Sequence, residues 1–207
     1  MTITVVDYGA GNIRSVLNAI AYTGEDALAS ADPEILANAE RIILPGVGAA
    51  GSALGVLRDR GLADALDLAR KRGTPILGIC LGLQMLAEEL DEFGTHKGLG
   101  WIDGRVGPIA DQVGPDVRVP HIGWARIDQV DGPAAAFFGR NEKSNYFYFC
   151  HSNCLTTIPS LVAATVDLTT PIVAAVQKEN VLAVQFHPEK SQINGFRFLE
   201  AFLDWRP

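Results

Sequence analysis

Two short segments of this chain hold the residue types that acyl-transfer chemistry requires. Gly78-Ile79-Cys80-Leu81-Gly82 sets a cysteine between two glycines, and Gln185-Phe186-His187-Pro188-Glu189 sets an imidazole and a carboxylate two residues apart. The first segment fits the Gly-x-nucleophile-x-Gly pattern of a sharp strand-to-helix turn. Such a turn strains the backbone at the nucleophile, so its neighbours must be small, and the amide of the next residue, Leu81, is free to meet an oxyanion. A helix N-terminus and an imidazolium beside a thiol both favour the thiolate. His187 and Glu189, at the end of an extended run, can point to one side, with Pro188 holding the dipeptide extended. The expected unit is Cys80 as nucleophile, His187 as base and Glu189 as the carboxylate that orients the ring. Each motif alone has a bland counterpart, a buried cysteine in a glycine-rich turn and a His-Pro-Glu at a strand end. Together they imply thiol-nucleophile chemistry.

The elements that must position these groups follow from periodicity. Ile3–Asp7 reads as a strand, and Asn12 can cap a helix with Ile13, Val16, Leu17 and Ile20 on one face, ended by Gly24. Asp32-Pro33-Glu34 reads as an N-cap with proline at the first helical position. Arg41–Leu44 is a buried strand leading into Pro45-Gly46-Val47-Gly48, Leu62–Arg70 is helical, and Pro75–Ile79 is a strand running into Cys80. A helix is expected from near Gly82, with Leu83, Leu86, Ala87 and Leu90 inward. Strand, turn and helix repeating at this pace predict a parallel sheet covered on both faces. After Trp101 the runs turn mostly extended: Trp101–Val106, Val117–Pro120, Tyr146–Ser152, Leu161–Val166, Ile172–Gln177 and Val181–His187, with a hairpin turn at Lys178-Glu179-Asn180. A last helix would turn Ile193, Phe196, Leu199 and Leu203 inward. The expectation is one α/β domain over residues 1–207, a mostly parallel central sheet flanked by helices, with a partly antiparallel extension.

Composition narrows the function classes. The chain has 207 residues, 48% hydrophobic and 20% charged, enough to bury a core without disulfides or metals. No run approaches the roughly 20 apolar residues of a membrane span, and the first residues lack a basic and apolar leader, so a cytoplasmic location is expected. With 17 basic against 24 acidic residues the net charge is −7. The densest basic group, Arg70-Lys71-Arg72, closes a helix, which argues against a nucleic-acid footprint. Three cysteines do not make a disulfide framework. Cys150-His151-Ser152-Asn153-Cys154 resembles a metal cluster only at first sight. Strand alternation would send the two cysteines to one face and His151 to the other, and no second Cys/His pair has matching spacing, so no metal site is expected and both cysteines should pack as small apolar residues.

The two catalytic motifs together resemble those of the class I glutamine amidotransferases, whose glutaminase domain carries a Cys–His–Glu triad. More of the chain is similar to one branch, the glutaminase subunits of imidazole glycerol phosphate synthase. The likeness is carried, in the family's order, by Asp7–Asn12, Leu44–Gly48, Gly78–Gln84, Pro120–Trp124, Tyr148–Ser152 and Gln185–Ser191. It implies glutamine as substrate and no cofactor. Cys80 would attack the carboxamide carbon, and His187 would move protons while Glu189 holds its tautomer. Gln84 would help bind glutamine, and His151 and Ser152 would grip its amino-acid end; alternatively Gln84 caps its helix and His151-Ser152 completes a strand. Gly46, Val47 and Gly48 resemble the family's oxyanion strand, since two glycines let the peptide at Val47 rotate; the spacing does not fit a phosphate loop.

The resemblance also implies a heterodimer with a barrel-fold cyclase that consumes the ammonia, and it sets Asn12, Trp124, Tyr148 and Lys190 at or near that interface. Locally, Asn12 reads equally as a helix cap and Trp124 as core. Asn153, Ala50 and Ala125 stand where relatives usually carry an aromatic residue, phenylalanine and asparagine, which bears on interface details and on the partner served. A paralogous amidotransferase that feeds a surface-sugar biosynthetic enzyme shares these motifs. Stress-response proteins with an elbow cysteine carry histidine directly after it, where this chain has Leu81, and a non-catalytic binding subunit would not need the whole triad.

Overall fold

Apolar runs that are buried on both faces form the centre of the molecule in the computed structural model, which describes residues 2–114, 117–130, 132–138 and 145–207. Strands β1 (Ile3–Val6), β2 (Ala27–Ser30), β3 (Arg41–Gly46), β4 (Ile76–Cys80) and β13 (Val181–Val184) lie parallel in the order β2-β1-β3-β4-β13. The sheet continues through β12 (Pro171–Lys178), β11 (Val162–Asp167), β8 (His121–Gln129) and β9 (Tyr146–His151), each antiparallel to its neighbour. Nine strands thus make the mixed sheet that the apolar pattern predicts.

Period-two alternation divides the core. Ile3, Val5, Ile43, Leu77 and Ile79 meet helices α1 (Ile13–Tyr22) and α7 (Gln192–Asp204) on one face. Val6, Ile42, Leu44 and Ile76 meet α2 (Pro33–Ala37), α3 (Ala50–Asp59) and α4 (Leu62–Lys71) on the other. Asp32 caps α2 as predicted, accepting from the Glu34 amide at 2.8 Å. Asn12 caps α1 through its backbone carbonyl, not its side chain. In α7 the inward residues are Phe198, Leu199, Phe202 and Leu203, whereas Ile193 is exposed.

The helix expected after Cys80 is a single turn, α5 (Leu81–Met85). The chain then enters β5 (Ala87–Asp91), which joins β6 (Thr95–Lys97), β7 (Ile102–Pro108) and β10 (Asn153–Thr157) in a second sheet ordered β10-β7-β5-β6. Tertiary pairing overrides the helical spacing here. The carbonyls that would continue the helix accept from the returning chain, Met85 from Leu99 at 2.8 Å and Leu86 from Trp101 at 2.9 Å. The short helix α6 (Ala110–Val113) follows β7.

Three further expectations are revised. Val117–Pro120 is not a strand, and β8 begins only at His121; Pro120 has no N–H to offer a ladder. β13 ends at Val184 rather than His187. The segment 146–154 is two strands in different sheets, so alternation does not run through it: Cys154 is buried as expected, but Cys150 is exposed.

Candidate active site

β4 delivers Cys80 to the C-terminal edge of the parallel strands, with Gly46 of β3 opposite it. Its backbone sits at φ +55°, a region that residues with side chains seldom enter. The flanking glycines make this turn possible. A Cβ at Gly82 would lie 1.9 Å from the Leu44 carbonyl oxygen, and one at Gly78 would press on Gly82 and Leu83 at 3.0–3.1 Å. Because α5 has only five residues, little helix dipole reaches the sulfur. The charge partner beside the thiol must therefore do more than the sequence implies.

That partner is His187. Its Nδ1 lies 2.8 Å from Glu189 Oε1, both side chains are almost fully buried, and the ring shares a cavity with Cys80, close enough to feel its charge. Burial disfavours the charged ring, but the hydrogen bonds to Cys80 and Glu189, together with their negative charge, raise its pKa to about 10. Glu189 does not reach the ring by strand alternation. His187 is extended, and Pro188–Lys190 form one 3₁₀ turn that folds the carboxylate back. The loop is pinned on several sides. His187 N–H donates to the Tyr148 carbonyl at 2.8 Å, Ser191 Oγ donates to the His187 carbonyl at 2.6 Å and accepts from Tyr148 N–H at 3.0 Å. A Cβ at Gly195 would stand 1.8 Å from the Pro188 oxygen, so α7 seats directly on the turn.

Cys80 and His187 open into a cavity of about 350 Å³, also lined by Val47, Gly48, Gln84 and Ser152. A larger hollow of about 700 Å³ lies by Arg70, Lys71 and Trp205, but no cysteine or histidine lines it. At the cavity edge Gly46 closes β3, Val47 is 41% exposed and Gly48 holds φ +104°. Tyr8, given no role by the sequence, lies beneath this strand end. Its hydroxyl donates to the Pro45 carbonyl at 2.9 Å, and a Cβ at Gly46 would meet Tyr8 Oη at 2.5 Å and Leu81 Cβ at 2.7 Å. Burial, with the charge of Cys80, pushes the Tyr8 hydroxyl well above its usual range, so it remains a donor.

Gln84 is buried, and its Nε2 donates to the Asn153 carbonyl at 3.2 Å and to Gln185 Oε1 at 3.1 Å. It is thus neither a cap nor free in the cavity. His151 lines the cavity, but its ring is engaged: Nδ1 meets the Asn153 carbonyl at 2.9 Å and Nε2 meets His121 Nδ1 at 3.1 Å. Burial lowers its pKa to about 4, which keeps it neutral. Ser152 is exposed. The residue that sequence reasoning missed is Glu92, a half-buried carboxylate on the cavity wall. Its Oε2 accepts from the Ala50 amide at 2.6 Å and its Oε1 from Asn153 Nδ2 at 3.1 Å. Two of the three unusual residues therefore converge on one carboxylate. Their spacing to Glu92 held no local signal.

Trp124 is 47% exposed and is not core; its ring meets Tyr148 edge-on at 6.2 Å, and Lys190 Nζ lies 5.9 Å from the Tyr148 ring centre. These three make one cluster beside the cavity mouth, since Lys190 also lines the cavity; it is exposed at Trp124 and Lys190 and half-buried at Tyr148. Asn12 is exposed at the start of α1, which packs against the Pro188–Lys190 turn. Among the described residues no group of three or more His, Cys, Asp or Glu side chains could hold a metal ion, and no helix is long and apolar enough to cross a membrane.

The family model for glutamine amidotransferase class-I matches residues 4–204, and the chain belongs to this family. Within it, the curated relatives include proteins named imidazole glycerol phosphate synthase subunit HisH. The one from Zymomonas mobilis is 40% identical over 100% of this chain and 97% of its own length. Those from Rhodopirellula baltica and Caulobacter vibrioides are 45% and 43% identical, covering 97% and 100% of this chain and 96% and 99% of theirs. Among solved structures, PurLQS from Thermotoga maritima superposes with a TM-score of 0.73 at 21% identity, over 98% of this chain and 97% of that one. A structure described as glutamine amidotransferase superposes at 0.72 and 20%, over 97% of each. At that identity these two bear on the fold, the mixed sheet flanked by helices.

Proposed function

We propose that this single domain is the glutaminase subunit of an imidazole glycerol phosphate synthase, with Cys80, His187 and Glu189 as its catalytic triad. The observation that carries the reading is the buried His187 ring, held by Glu189 at 2.8 Å and sharing the wall of a cavity with Cys80, whose charge acts on it. The Cys80 sulfur attacks the carboxamide carbon of glutamine. The carbonyl oxygen takes up the charge and is met by the Leu81 N–H and by an amide turned inward at Val47. The C–N bond breaks as His187 gives its proton to the nitrogen; ammonia leaves, and a γ-glutamyl thioester remains on Cys80. His187 then takes a proton from water, the hydroxide attacks the thioester, the C–S bond breaks, and glutamate departs. Glu189 holds the ring's orientation throughout.

Glu92, the one carboxylate among the described residues that line the cavity, suits the α-ammonium of glutamine, and the exposed Ser152 suits its α-carboxylate. The Trp124–Tyr148–Lys190 cluster at the mouth, with Asn12, suits a docked partner, taken as a barrel-fold cyclase that consumes the ammonia in the cytoplasm. The relatives' shared name favours this partner over a surface-sugar enzyme. The test is Cys80→Ala in the presence of that cyclase. Glutamine hydrolysis should vanish while partner binding by titration persists, and a glutamine-mimicking alkylator should label Cys80 and spare Cys150 and Cys154. Labelling spread over all three cysteines would remove the assignment.

A further inference from the structure

We propose that Gln185, besides His187, holds the Cys80 sulfur in its reactive state, and that Gln84 fixes which end of the Gln185 amide faces that sulfur. Gln185 follows β13 and is fully buried, and its backbone N–H is held by the Ala174 carbonyl at 2.8 Å. Its Nε2 lies 3.5 Å from Cys80 Sγ, an ordinary separation for an N–H donor to sulfur. The direction of this contact decides its effect. An amide nitrogen aimed at the sulfur favours the thiolate, whereas an amide oxygen there would oppose it.

A chain of donors and acceptors sets that direction. The Asn153 backbone carbonyl can only accept, so Gln84 must present its nitrogen there, at 3.2 Å. The same nitrogen carries a second hydrogen, which goes to Gln185 at 3.1 Å and therefore requires the Gln185 oxygen on that side. The Gln185 nitrogen is left facing Sγ. The Asn153 carbonyl is anchored in turn by His151 Nδ1 at 2.9 Å, with the ring neutral and donating at that atom. A backbone carbonyl thus orients one amide, that amide orients the next, and the second steadies the sulfur. Gln185 is not on the cavity wall, so it acts on the nucleophile and not on glutamine.

This inference rests on Cys80 being the nucleophile, and its experiment separates the two claims. Iodoacetamide needs no glutamine pocket, so the pH dependence of Cys80 labelling, followed by peptide mass spectrometry, reads the sulfur alone. Gln185→Glu puts an anion beside the sulfur and should slow labelling at pH 7 about tenfold, moving the whole profile to higher pH. Gln185→Met keeps the length without the donor and should move it the same way by less. Gln84→Met, which frees the Gln185 amide to turn, should give a smaller shift in the same direction and reads the contact from its far end if Gln185→Met does not fold. With glutamine, Gln185→Met should lose kcat about tenfold with KM nearly unchanged. Profiles that superpose on the parent's, or labelling that falls equally at every pH, overturn the role of Gln185. A parent chain in which Cys80 is not selectively labelled overturns the nucleophile itself.

Discussion

The cavity lining falls into two sets that differ in burial, a buried wall of Cys80 and His187 and an exposed one of Val47 and Ser152. On the first, the side chains are buried, and each has its position decided several times over: the Cys80 turn by Gly78, Gly82 and the Leu44 carbonyl, the His187 loop by Tyr148, Ser191 and Gly195. On the second wall Val47, Gly48 and Ser152 are exposed, and two glycines bracket Val47. The first wall can keep reacting atoms within the small tolerances that acyl transfer needs. The second can move. If Val47 meets the oxyanion as proposed, preorganised chemistry and an adjustable contact are separated in one site, which is how a glutaminase could be held slow until a partner docks.

The comparison breaks most readily on the first wall. His187→Asn should lower glutamine turnover by about 10²–10⁴-fold, and by more if the thiolate is lost as well. The same variant tests the electrostatics. The His187 ring has its pKa raised to about 10 in the folded chain against about 6.5 for an unperturbed ring. The folded state therefore binds the proton more tightly. The stability so gained is fully present below about pH 6.5 and is lost as pH rises toward 10. The Tm advantage of the parent over His187→Asn should shrink across that window. A constant gap, or undiminished turnover, would show that the ring is not charged by its two neighbours.

On the second wall the expected effect is smaller and conditional on the partner. Val47→Pro deletes the amide N–H that an inward turn would offer to the oxyanion. It should remove most of the partner-stimulated rate, about 10²–10³-fold, with glutamine binding little changed. Circular dichroism and a partner titration guard against misfolding. An isolated parent chain already turning over at full speed, or a proline variant that keeps its stimulation, would mean that the adjustable contact lies elsewhere.

The same contrast explains what the sequence made legible. The grouping of Cys80, His187 and Glu189 could be read because a strained turn demands glycines on both sides of Cys80, and because His187 and Glu189 are close in the chain. The parallel strands β1, β3, β4 and β13 could be read because they are buried on both faces and are therefore continuously apolar, whereas the edge strand β2, half exposed, gave no such run. Helix α3 was masked by Gly51 and Gly55, which lower helix propensity, although Leu54 and Leu57 bury fully once it forms. The second sheet was hidden more deeply. Leu83, Leu86, Ala87 and Leu90 keep helical spacing, and only pairing with the segment returning through Leu99 and Trp101 ends the helix at Met85. That misreading also concealed Glu92, which follows β5 directly. Its contacts to Ala50 and Asn153 span 42 and 61 residues, and no periodicity reports them.

Glu92 gives the smallest of these effects and sharpens the comparison, because it is fixed by the same kind of contacts as the first wall yet should serve binding alone. Glu92→Gln keeps the shape and one carbonyl acceptor for the Ala50 amide. Asn153 can turn its side-chain amide to meet the new NH₂, so the network survives while the charge is lost. A charged hydrogen bond to the α-ammonium of glutamine should then weaken, raising KM about tenfold with kcat little altered. Glutaramate, which is glutamine without its α-amino group, supplies the internal control. The parent should use it with a raised KM, and Glu92→Gln should handle it no worse than the parent does. A variant that loses kcat on both compounds would place Glu92 among the groups that shape the Cys80 wall. A variant equally impaired in KM for both would mean that Glu92 supports the cavity without meeting the ammonium.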